Sequence, residues 1–386
     1  MKSCKPKITI CFLSSMHPAN DVRIYYKEAM SLSKAGFHIV HICPEHISAK
    51  NRFYNKHIKT ITYHYPQGII WRLFQIPSLF RRASKVKADC YHCNEVDSWI
   101  AGVLLKICFK KKVVFDVHEH YPETFAHSRF PKWLRPIIAF SIRWLFLILS
   151  PFTDRIVLAK QSIAKDFSLF RKKLVYVQNY ALTSYLSTNQ KQSEPNSLVQ
   201  VIHHGVMGQK RGWPVLLEVF SSLRHEAICL KIIGQFKDGS ENDFFTQRNE
   251  LNLSERVIFE DWMPFEDVFQ HVKASQIGIV LLQPGHLNHV HALPHKLFDY
   301  MLAGIPVIIP NFSKELTSIV TQSNCGVLVD PSNPNQIRQA ILSLANNPNK
   351  RKELGANGRK AILKKYNWDN EARELITMYN KLFLIY

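Results

Sequence analysis

The sequence predicts an α/β protein with two domains, each built on a parallel sheet with helices on both faces. The chain has 386 residues, which is long for a single hydrophobic core. Short apolar segments alternate with helix-length ones along the chain, as is typical of parallel sheets. A polar, aperiodic segment at residues 183–197 interrupts the alternation like a linker. We therefore predict a first domain over 1–185, a second over 186–366 and a helical segment over 367–386.

In the first half, short apolar runs predict the strands, which we place at 8–13, 37–43, 89–93, 113–117, 155–158 and 174–177. A loop containing Pro18, Asn20 and Asp21 follows the first run. The amphipathic stretch after this loop ends at Gly36, a residue that commonly stops a helix. Strand, loop and helix therefore succeed one another as in a Rossmann-like unit.

The second half repeats this pattern, with strands predicted at 199–203, 228–233, 257–259, 277–282, 307–309 and 326–329. A turn with Gly205, Gly208 and Gly212 follows the first strand, and a helix begins at about Pro214. The segment from Trp368 to about residue 383 has the pattern of a long amphipathic helix. The second half is thus a second α/β unit followed by a closing helix.

Positive charge is concentrated in the first half. Residues 1–185 contain 29 Lys or Arg and 11 Asp or Glu, a net charge of +18, whereas the whole chain has a net charge of +20. Such asymmetry favours contact with a polyanion or an anionic membrane surface. We expect a basic, partly apolar face around Arg72, Arg81, Arg82, Lys110, Lys111 and Lys112, with Trp71, Phe74, Phe80 and Phe109, continuing through residues 129–135.

Cysteine usage and the N-terminus predict a cytosolic protein. The eight cysteines are scattered without a disulfide framework, and the start of the chain lacks the pattern of a secretion signal. Cys90 and Cys93 form one C-x-x-C pair inside a predicted strand, which favours core cysteines over a metal or redox site. The apolar stretch Ile137–Phe152, interrupted by Arg143, is shorter than the roughly 20 residues that cross a bilayer. It either lies on a membrane or packs as an internal helix.

The glycine-rich turn after the first strand of the second half is a candidate phosphate-binding loop. Ligands of open parallel sheets bind where strands end and helices begin. Gly205 and Gly208 allow close approach to the backbone, while Lys210 and Arg211 place cations near a helix start. A tight strand-to-helix turn with a solvated basic pair would have the same sequence, so both interpretations stay open.

A second candidate lies at residues 291–307, where a helix begins at Pro294 and ends at Gly304. Its first N–H groups, near Leu293, favour an anion. Lys296 lies in the first turn, where the helix dipole disfavours a cation unless an anion is close. Asp299 lies on the same face and could accept hydrogen bonds from ribose hydroxyls.

These residues resemble the donor-binding motif of retaining glycosyltransferases of family four, also called group 1, whose fold is GT-B. The motif P-x-K-x-F/L-E-Y-M-A-x-G-x-P-V is matched here by Pro294, Lys296, Tyr300, Met301, Gly304, Pro306 and Val307. Asp299 replaces its glutamate, which in the family holds the ribose. The turn from Gly205 to Gly212 is similar to the family's phosphate loop, with Arg211 at the basic position, and Asn367-Trp368 resembles the start of the closing helix that crosses back to the first domain.

The first half is similar to a subgroup that assembles bacterial polysaccharides. The resemblance rests on two loops, one with His17, Asn20, Asp21 and Arg23, and the other running from Asp116 to Glu123. The first set is therefore expected on the acceptor side. His118 follows a predicted strand directly, as a binding-site residue should, and the resemblance implies that it contacts the donor sugar.

The resemblance implies two Rossmann-like domains facing across a cleft. It also implies a metal-independent reaction in which a sugar is transferred from a nucleoside diphosphate of UDP or GDP type. His118, Arg211 and Lys296 are the expected catalytic residues. The expected donor-binding residues are Gly205, Gly208, Lys210, Arg211, His291, Leu293, Pro294, Lys296 and Asp299. No cofactor or metal is expected, although His286, His289, His291 and His295 invite a metal interpretation.

The acceptor is expected to be a saccharide or lipid-diphosphate-linked saccharide in cell-surface polysaccharide synthesis, met at the inner face of the plasma membrane, with no nucleic acid bound. Two alternatives remain open: a nucleotide-sugar epimerase on the same fold, and a non-catalytic assembly protein. The second alternative rests on His291, because the family has two glutamates separated by seven residues where this chain has His291 and Asp299.

Overall fold

The computed structural model describes residues 8–45, 58–64, 69–184 and 198–385. The first seven residues and most of the predicted linker lie outside this part, as do the side chains of Trp71 and Arg129. The chain forms two compact units, Met1–Asn179 with Trp368–Tyr386, and Tyr180–Asn367. The unit boundary thus lies six residues before the predicted position.

The first unit contains a seven-stranded parallel sheet with the order β3-β2-β1-β4-β5-β6-β7. The central strands are buried on both faces, as their continuous apolar sequences require. The strands are β1 (Thr9–Leu13), β2 (His38–Pro44), β3 (Ile58–Tyr63), β4 (Cys90–Cys93), β5 (Lys112–Val117), β6 (Arg155–Leu158) and β7 (Leu174–Tyr176). The sequence analysis missed β3, a half-buried edge strand whose threonines and lysine weaken the apolar signal.

Helices cover this sheet, beginning with a π-helical segment, Val22–Ala29, that continues as a regular helix. Short 3-10 segments occupy Ser150–Phe152 and Gln161–Lys173. The α-helices are α1 (Met30–Lys34), α2 (Ile69–Val86), α3 (Val96–Phe109), α4 (Tyr121–Arg129) and α5 (Arg135–Leu149). By length and composition, Arg135–Phe152 is a candidate membrane span, contrary to the expectation from its sequence.

The second unit contains a six-stranded parallel sheet with the order β10-β9-β8-β11-β12-β13. Its strands are β8 (Val199–Met207), β9 (Ile228–Phe236), β10 (Val257–Glu260), β11 (Ile277–Ile279), β12 (Val307–Pro310) and β13 (Gly326–Val329). Gly205 was predicted in a turn but lies within β8, opposite Gly234 of β9. A Cβ on Gly234 would lie 2.0 Å from the Gly205 carbonyl oxygen, so this glycine allows the long pairing.

The helices of the second unit follow its strands in the same alternating order. They are α6 (Trp213–Ser222), α7 (Glu241–Glu250), α8 (Phe265–Ala274), α9 (Leu287–Val290), α10 (His295–Ala303), α11 (Lys314–Ser323), α12 (Pro334–Ala345) and α13 (Pro348–Lys364). The predicted start and stop of α10 are correct, since Pro294 precedes it and Gly304 ends it with φ of 79°. The last helix, α14 (Trp368–Leu382), packs on α1 and β7 of the first unit.

The two sheets share one topology. In each, the order of connection reverses beside the first strand, so that β1 adjoins β4 and β8 adjoins β11. In doubly wound sheets, ligands bind beyond the carboxyl ends of the strands at such reversal points. The predicted α/β fold with two parallel sheets is confirmed.

Candidate functional site

In the second unit, Lys296 of α10 lies against the end of β8. A Cβ built on Gly205 would lie 3.8 Å from the Lys296 Cε and 3.9 Å from its Nζ. Gly205 has φ of 90°, a left-handed conformation that favours glycine. Glycine is therefore favoured at this position by its backbone conformation, and the Lys296 side chain lies within ordinary contact distance of it.

The ammonium group of Lys296 is buried, although we expected limited burial at the start of a helix. Its residue is 7% exposed, and its Nζ donates to the His203 Nε2 at 2.8 Å. Burial and the nearby charge of Arg211 lower the pKa of Lys296 well below its usual value, and burial with the charge of Lys296 lowers the pKa of His203 likewise.

Arg211 and Lys210 lie in a short 3-10 segment, Gln209–Arg211, between β8 and α6. The Lys210 side chain is exposed and that of Arg211 is half-buried. The loop is fixed at both ends: the backbone N–H of Gln209 donates to Asp238, and that of Gln283 donates to the Lys210 carbonyl oxygen. These cations are thus displayed on an ordered loop beside the Lys296 pocket.

The Gly208 backbone in this loop approaches Asp238 closely. A Cβ on Gly208 would lie 2.5 Å from an Asp238 carboxylate oxygen, so a side chain there would displace the acid. The other Asp238 oxygen accepts from the Ser240 hydroxyl, whose oxygen in turn accepts from the Trp213 indole. Sequence analysis missed Asp238, because nothing in the sequence connects it with a loop 30 residues earlier.

Asp299 lies one turn after Lys296 on the same face of α10, as the spacing predicted. It is 5% exposed, and its Oδ2 lies 3.4 Å from the His204 Nε2. Burial and the charge of Lys296 lower the pKa of His204 to about 3. The backbone N–H of His204 donates to the Tyr300 hydroxyl, so the two residues before Gly205 both join β8 to α10.

The remaining predicted donor-side residues surround the beginning of α10. Pro294 is the residue before its first turn, and Leu293 is buried in the apolar core of the unit. His291 lies just after α9, with its Nδ1 4.0 Å from a carboxylate oxygen of Glu315. The Leu293 side chain therefore contributes to packing. The first backbone N–H groups of α10 remain the predicted anion-binding groups at this turn.

In the first unit, His17 forms an ion pair with Glu95 at the end of β4. The Nδ1 to Oε1 distance is 2.6 Å, and the backbone N–H groups of Ser15, Met16 and His17 also donate to this carboxylate. Burial alone would lower the pKa of His17, but the hydrogen bond and charge of Glu95 outweigh it and raise the pKa to about 9. His17 is therefore a cation at neutral pH.

Glu95 was not among the predicted site residues. Burial would raise its pKa, but the hydrogen bond and charge of His17 prevail and lower it to about 2. Glu95 lies two residues after β4, so the rule that selected His118, the first residue after β5, would have selected Asn94 instead.

His118 lies beside His17, with 5.0 Å between ring centroids in an edge-to-face arrangement. Its Nδ1 is 3.2 Å from an Asp116 carboxylate oxygen, and its Nε2 is 3.3 Å from the Tyr121 hydroxyl. The Tyr121 hydroxyl also donates to the Asn94 carbonyl oxygen. These contacts fix the ring plane of His118.

Arg23, predicted on the acceptor side, is instead an internal ion-pair partner. It is 5% exposed, donates to both oxygens of Asp116 at 2.9 and 2.7 Å, and lies 3.0 Å from a Glu28 oxygen. Burial would lower its pKa, but the charges of Asp116 and Glu28 prevail and raise it. We assign Arg23 to stability, because its guanidinium is already held by carboxylates.

The neighbouring predicted residues have different environments. Asp21 caps the helix that begins at Val22, accepting from the backbone N–H groups of Arg23 and Ile24, a contact that stabilises helix starts. Asn20 is exposed. Of the four residues predicted on the acceptor side, His17 and Asn20 thus remain accessible, while Asp21 and Arg23 organise the loop.

Two groups in the described part of the chain have donor atoms close enough to hold a metal ion: Glu28, His92 and Asp116, and His120, Glu123 and Asp166. Arginines already neutralise both, since Arg23 pairs with Glu28 and Asp116, and Arg143 pairs with Glu123 and Asp166. Each set therefore fits an internal ion pair. Cys90 and Cys93 are buried free thiols of β4.

Two family models match the chain in its two units. The model of Glycosyltransferase Family 4 matches residues 23–179, and that of Glycosyl transferases group 1 matches residues 187–361. Together they cover most of the chain, including the loops with Arg23, His118, Arg211 and Lys296.

A curated relative and two solved structures are similar to the chain. Spore coat protein SA of Bacillus subtilis is 23% identical over 188 residues, covering 47% of this chain and 48% of the relative. The chain matches less than half the length of each of the curated relatives it resembles. Sucrose-phosphate synthase from Thermosynechococcus elongatus has a TM-score of 0.71 at 17% identity, over 98% of this chain and all of that one.

The Anabaena protein HepE, in complex with UDP, has the same TM-score of 0.71 at 13% identity, over 97% of this chain and all of that one. At such identities the likeness concerns the fold. With the two matching family models and the two parallel sheets, it leads to one conclusion: the chain has the GT-B fold, and its two units match the domains described as Glycosyltransferase Family 4 and Glycosyl transferases group 1.

Proposed function

We propose that this protein is a retaining glycosyltransferase that moves a sugar from a nucleoside-diphosphate sugar to a saccharide or lipid-linked saccharide in polysaccharide synthesis. One observation carries the donor assignment: the ammonium of Lys296 is buried at the end of β8, and the charge of the half-buried Arg211 on the neighbouring loop lowers its pKa. Two cations near each other are unfavourable unless an anion joins them. A diphosphate supplies that anion.

In this mechanism, Lys296 and Arg211 stabilise the charge that develops on the departing diphosphate, together with the first N–H groups of α10. These groups supply the positive charge without a metal ion. Lys210, on the exposed side of the loop, adds longer-range attraction. Asp299 accepts hydrogen bonds from the ribose hydroxyls, since it lies one turn along α10 from Lys296.

We assign a nucleotide donor of UDP or GDP type, and among the solved structures the HepE complexes support UDP. HepE was solved in complex with UDP and also with UDP-glucose, and its fold resembles this one along the whole chain. In the first unit, His118 and His17 present imidazole groups held by Asp116 and Glu95. We assign His118 to the transferred sugar and His17 and Asn20 to the acceptor.

We further propose that the protein acts in the cytoplasm at the inner face of the plasma membrane. The net charge of +18 on residues 1–185 supports attraction to anionic lipid, at roughly 1 kcal/mol for each cation near the surface. A membrane-bound enzyme would meet a lipid-diphosphate-linked acceptor where that acceptor is anchored.

A second candidate is a non-catalytic protein that binds nucleotide without transferring sugar. His291, which faces Glu315 at 4.0 Å, favours it because the resembling enzymes have a glutamate at this position. An imidazole beside a carboxylate cannot offer a sugar the same acceptor oxygens.

A thermal-shift screen against UDP, GDP and their common sugar conjugates tests the donor assignment. A ligand that binds only the native state raises the melting temperature, so we expect at least one nucleoside diphosphate to do so. Binding of none of them would refute the proposal. Where a sugar conjugate binds, its hydrolysis or transfer is followed by NMR, and an inverted anomeric product would exclude retention; binding without turnover favours the non-catalytic protein.

A further inference from the structure

Helix α5 of the first unit has a continuous apolar face exposed to solvent. Four large side chains on this face are each 52% to 61% exposed, namely Ile137, Phe140, Trp144 and Ile148. Their spacing of three or four residues places them in one stripe along the helix. Trp133, in the turn two residues before the helix, is 74% exposed and extends the apolar surface at that end. We call these five residues the α5 stripe.

The opposite face of α5 is built into the core of the first unit. Phe146 stacks on Phe167 at 5.0 Å between centroids and meets Trp99 edge-to-face at 5.5 Å. Leu149 is also buried, and Ile142 and Leu145 pack against the same core. A helix anchored in this way lies along the protein surface, so crossing a bilayer would require these contacts to break.

A stripe of this kind needs a partner. Contiguous exposed apolar surface usually marks an interaction site, and tryptophans are typical of the boundary between lipid and water. A helix with one apolar face and basic flanks is the pattern of interfacial membrane helices. At 15 residues, α5 is about 22 Å long and suits a position in the membrane plane.

The charge around the stripe selects the partner. Between positions 129 and 173 there are ten Lys or Arg and two Asp, and α5 itself contains no acidic residue. Lys132 lies exposed at one end, and Lys165, Arg171 and Lys172 are exposed on the neighbouring 3-10 segment, which also presents Leu169. An anionic surface is complementary to this rim.

We propose that the α5 stripe inserts into the headgroup region of an anionic bilayer, with α5 parallel to the membrane plane. The proposal rests on the membrane association proposed above and names the surface responsible. A second copy of the chain is a poorer partner, because a two-fold interface would bring the same basic rims together. A neutral bilayer would leave the rim without counter-charge.

The stripe differs from the face expected from sequence around α2 and the end of α3. There, Arg72 is held by Asp97, with 2.9 Å between Nη2 and Oδ2, and Lys111 faces Asp89 at 3.5 Å. Phe74 and Phe109 are exposed, but three of the six expected cations there have acidic partners within the protein, since Lys112 also faces Asp154 at 3.6 Å. Beside the α5 stripe, Lys165 faces Glu123 at 3.8 Å, while Lys132, Arg171 and Lys172 are exposed. The α5 stripe is therefore the more complementary surface.

The test is co-sedimentation of the full-length protein with vesicles of phosphatidylglycerol or of phosphatidylcholine. We expect binding to the first and little to the second, with affinity falling as salt rises. The double variant Phe140→Ser/Trp144→Ser should lose at least tenfold in vesicle affinity. Trp262→Ser is the matched control, since Trp262 is equally exposed but lies in the second unit, and it should bind vesicles like the wild type.

Equal vesicle binding by the double variant and the wild type would overturn the inference, as would equal binding to both lipids. If the wild type is a dimer that does not bind vesicles, and the double variant is a monomer, the α5 stripe is instead the interface with a second copy of the chain. Unchanged melting temperatures verify that the variants fold. Calorimetry with UDP and GDP on the same samples separates the membrane proposal from the proposed donor binding. The protein can lose vesicle binding and still bind nucleotide, or bind vesicles and no nucleotide.

Discussion

At the carboxyl ends of β1 and β4, the first unit matches its charges internally: His17 pairs with Glu95, and the same region pairs Arg23 with Asp116. At the ends of β8 and β11, the second unit instead places Lys296 against a neutral imidazole, with the charge of Arg211 nearby. The sheet topology is the same in both. The comparison teaches that one fold can use buried charge either to hold a loop in place or to prepare a site for an anion.

The comparison predicts its largest effect at Arg23. Replacing Arg23 with Met leaves Asp116 and Glu28 buried without their cation, and breaking such pairs typically costs about 3–5 kcal/mol. We expect the free energy of unfolding of the first unit, measured by denaturant titration, to fall by that amount. Arg81→Met, at an exposed arginine of the same unit, should change it little.

Nucleotide affinity in Arg23→Met should stay near the wild-type value under conditions where the variant is folded. A variant as stable as the wild type, but with weakened nucleotide binding, would return Arg23 to the ligand-binding residues and contradict the structural role.

Lys296→Met should show the opposite pattern. Charge-assisted hydrogen bonds contribute about 1.5–3 kcal/mol, so affinity for UDP or GDP should fall by roughly ten- to a hundredfold. Stability should hold or rise, because burial makes the ammonium unfavourable in the unliganded fold. Arg211→Ala should reduce nucleotide affinity less than Lys296→Met does, because the half-buried charge of Arg211 is partly screened by solvent. Lys352→Met, at an exposed lysine of α13, is the control; calorimetry measures all four proteins.

Binding of a nucleoside diphosphate should also be coupled to proton uptake by Lys296. Its pKa is low in the free protein, and an adjacent diphosphate raises it, so binding takes up a proton at any pH between the two values. The enthalpy of binding should therefore depend on the ionisation enthalpy of the buffer. In Lys296→Met, the binding enthalpy should no longer depend on the buffer. If the dependence persists, a group other than Lys296 takes up the proton.

His17 should give a smaller, pH-dependent effect on stability. Its pKa is about 9 in the fold and roughly 6.5 when unfolded. The stabilising contribution is thus complete below pH 6.5 and is lost as pH rises to about 9. Because the side chain is 31% exposed, solvent screening limits it to about 1–2 kcal/mol.

His17→Gln should remove this decline from the curve of unfolding free energy against pH, whereas His225→Gln, at an exposed histidine of the second unit, should keep it. Parallel wild-type and His17→Gln curves between pH 6 and 9.5 would show that the pair with Glu95 does not shift the titration.

The smallest effect is expected at Asp299. If its carboxylate holds the ribose, Asp299→Asn should weaken nucleoside-diphosphate binding by about fivefold, or roughly 1 kcal/mol, and leave pyrophosphate affinity unchanged. Competition calorimetry compares the two ligands. Equal losses for both would mean that Asp299 acts through the charge of Lys296 and not on the ribose.

The sequence by itself determined the α/β alternation, the two units and the limits of α10. Those features depend on local signals: apolar runs give strands, Pro294 and Gly304 bound a helix, and glycines mark strand ends. Glu95, two residues after β4, is near enough to a strand end to be considered, but the local pattern does not distinguish it from Asn94.

Only the tertiary structure decided which charges are structural and which are available to a ligand. Arg23 and Asp116 are 93 positions apart, as are Lys296 and His203, and no local pattern encodes such pairs. The exposed stripe of α5 is a similar case, because its sequence fits a buried helix, a membrane span and an interfacial helix equally well. Packing of Phe146 against Phe167 decided which face turns inward, since burial is set by contacts between distant segments of the chain.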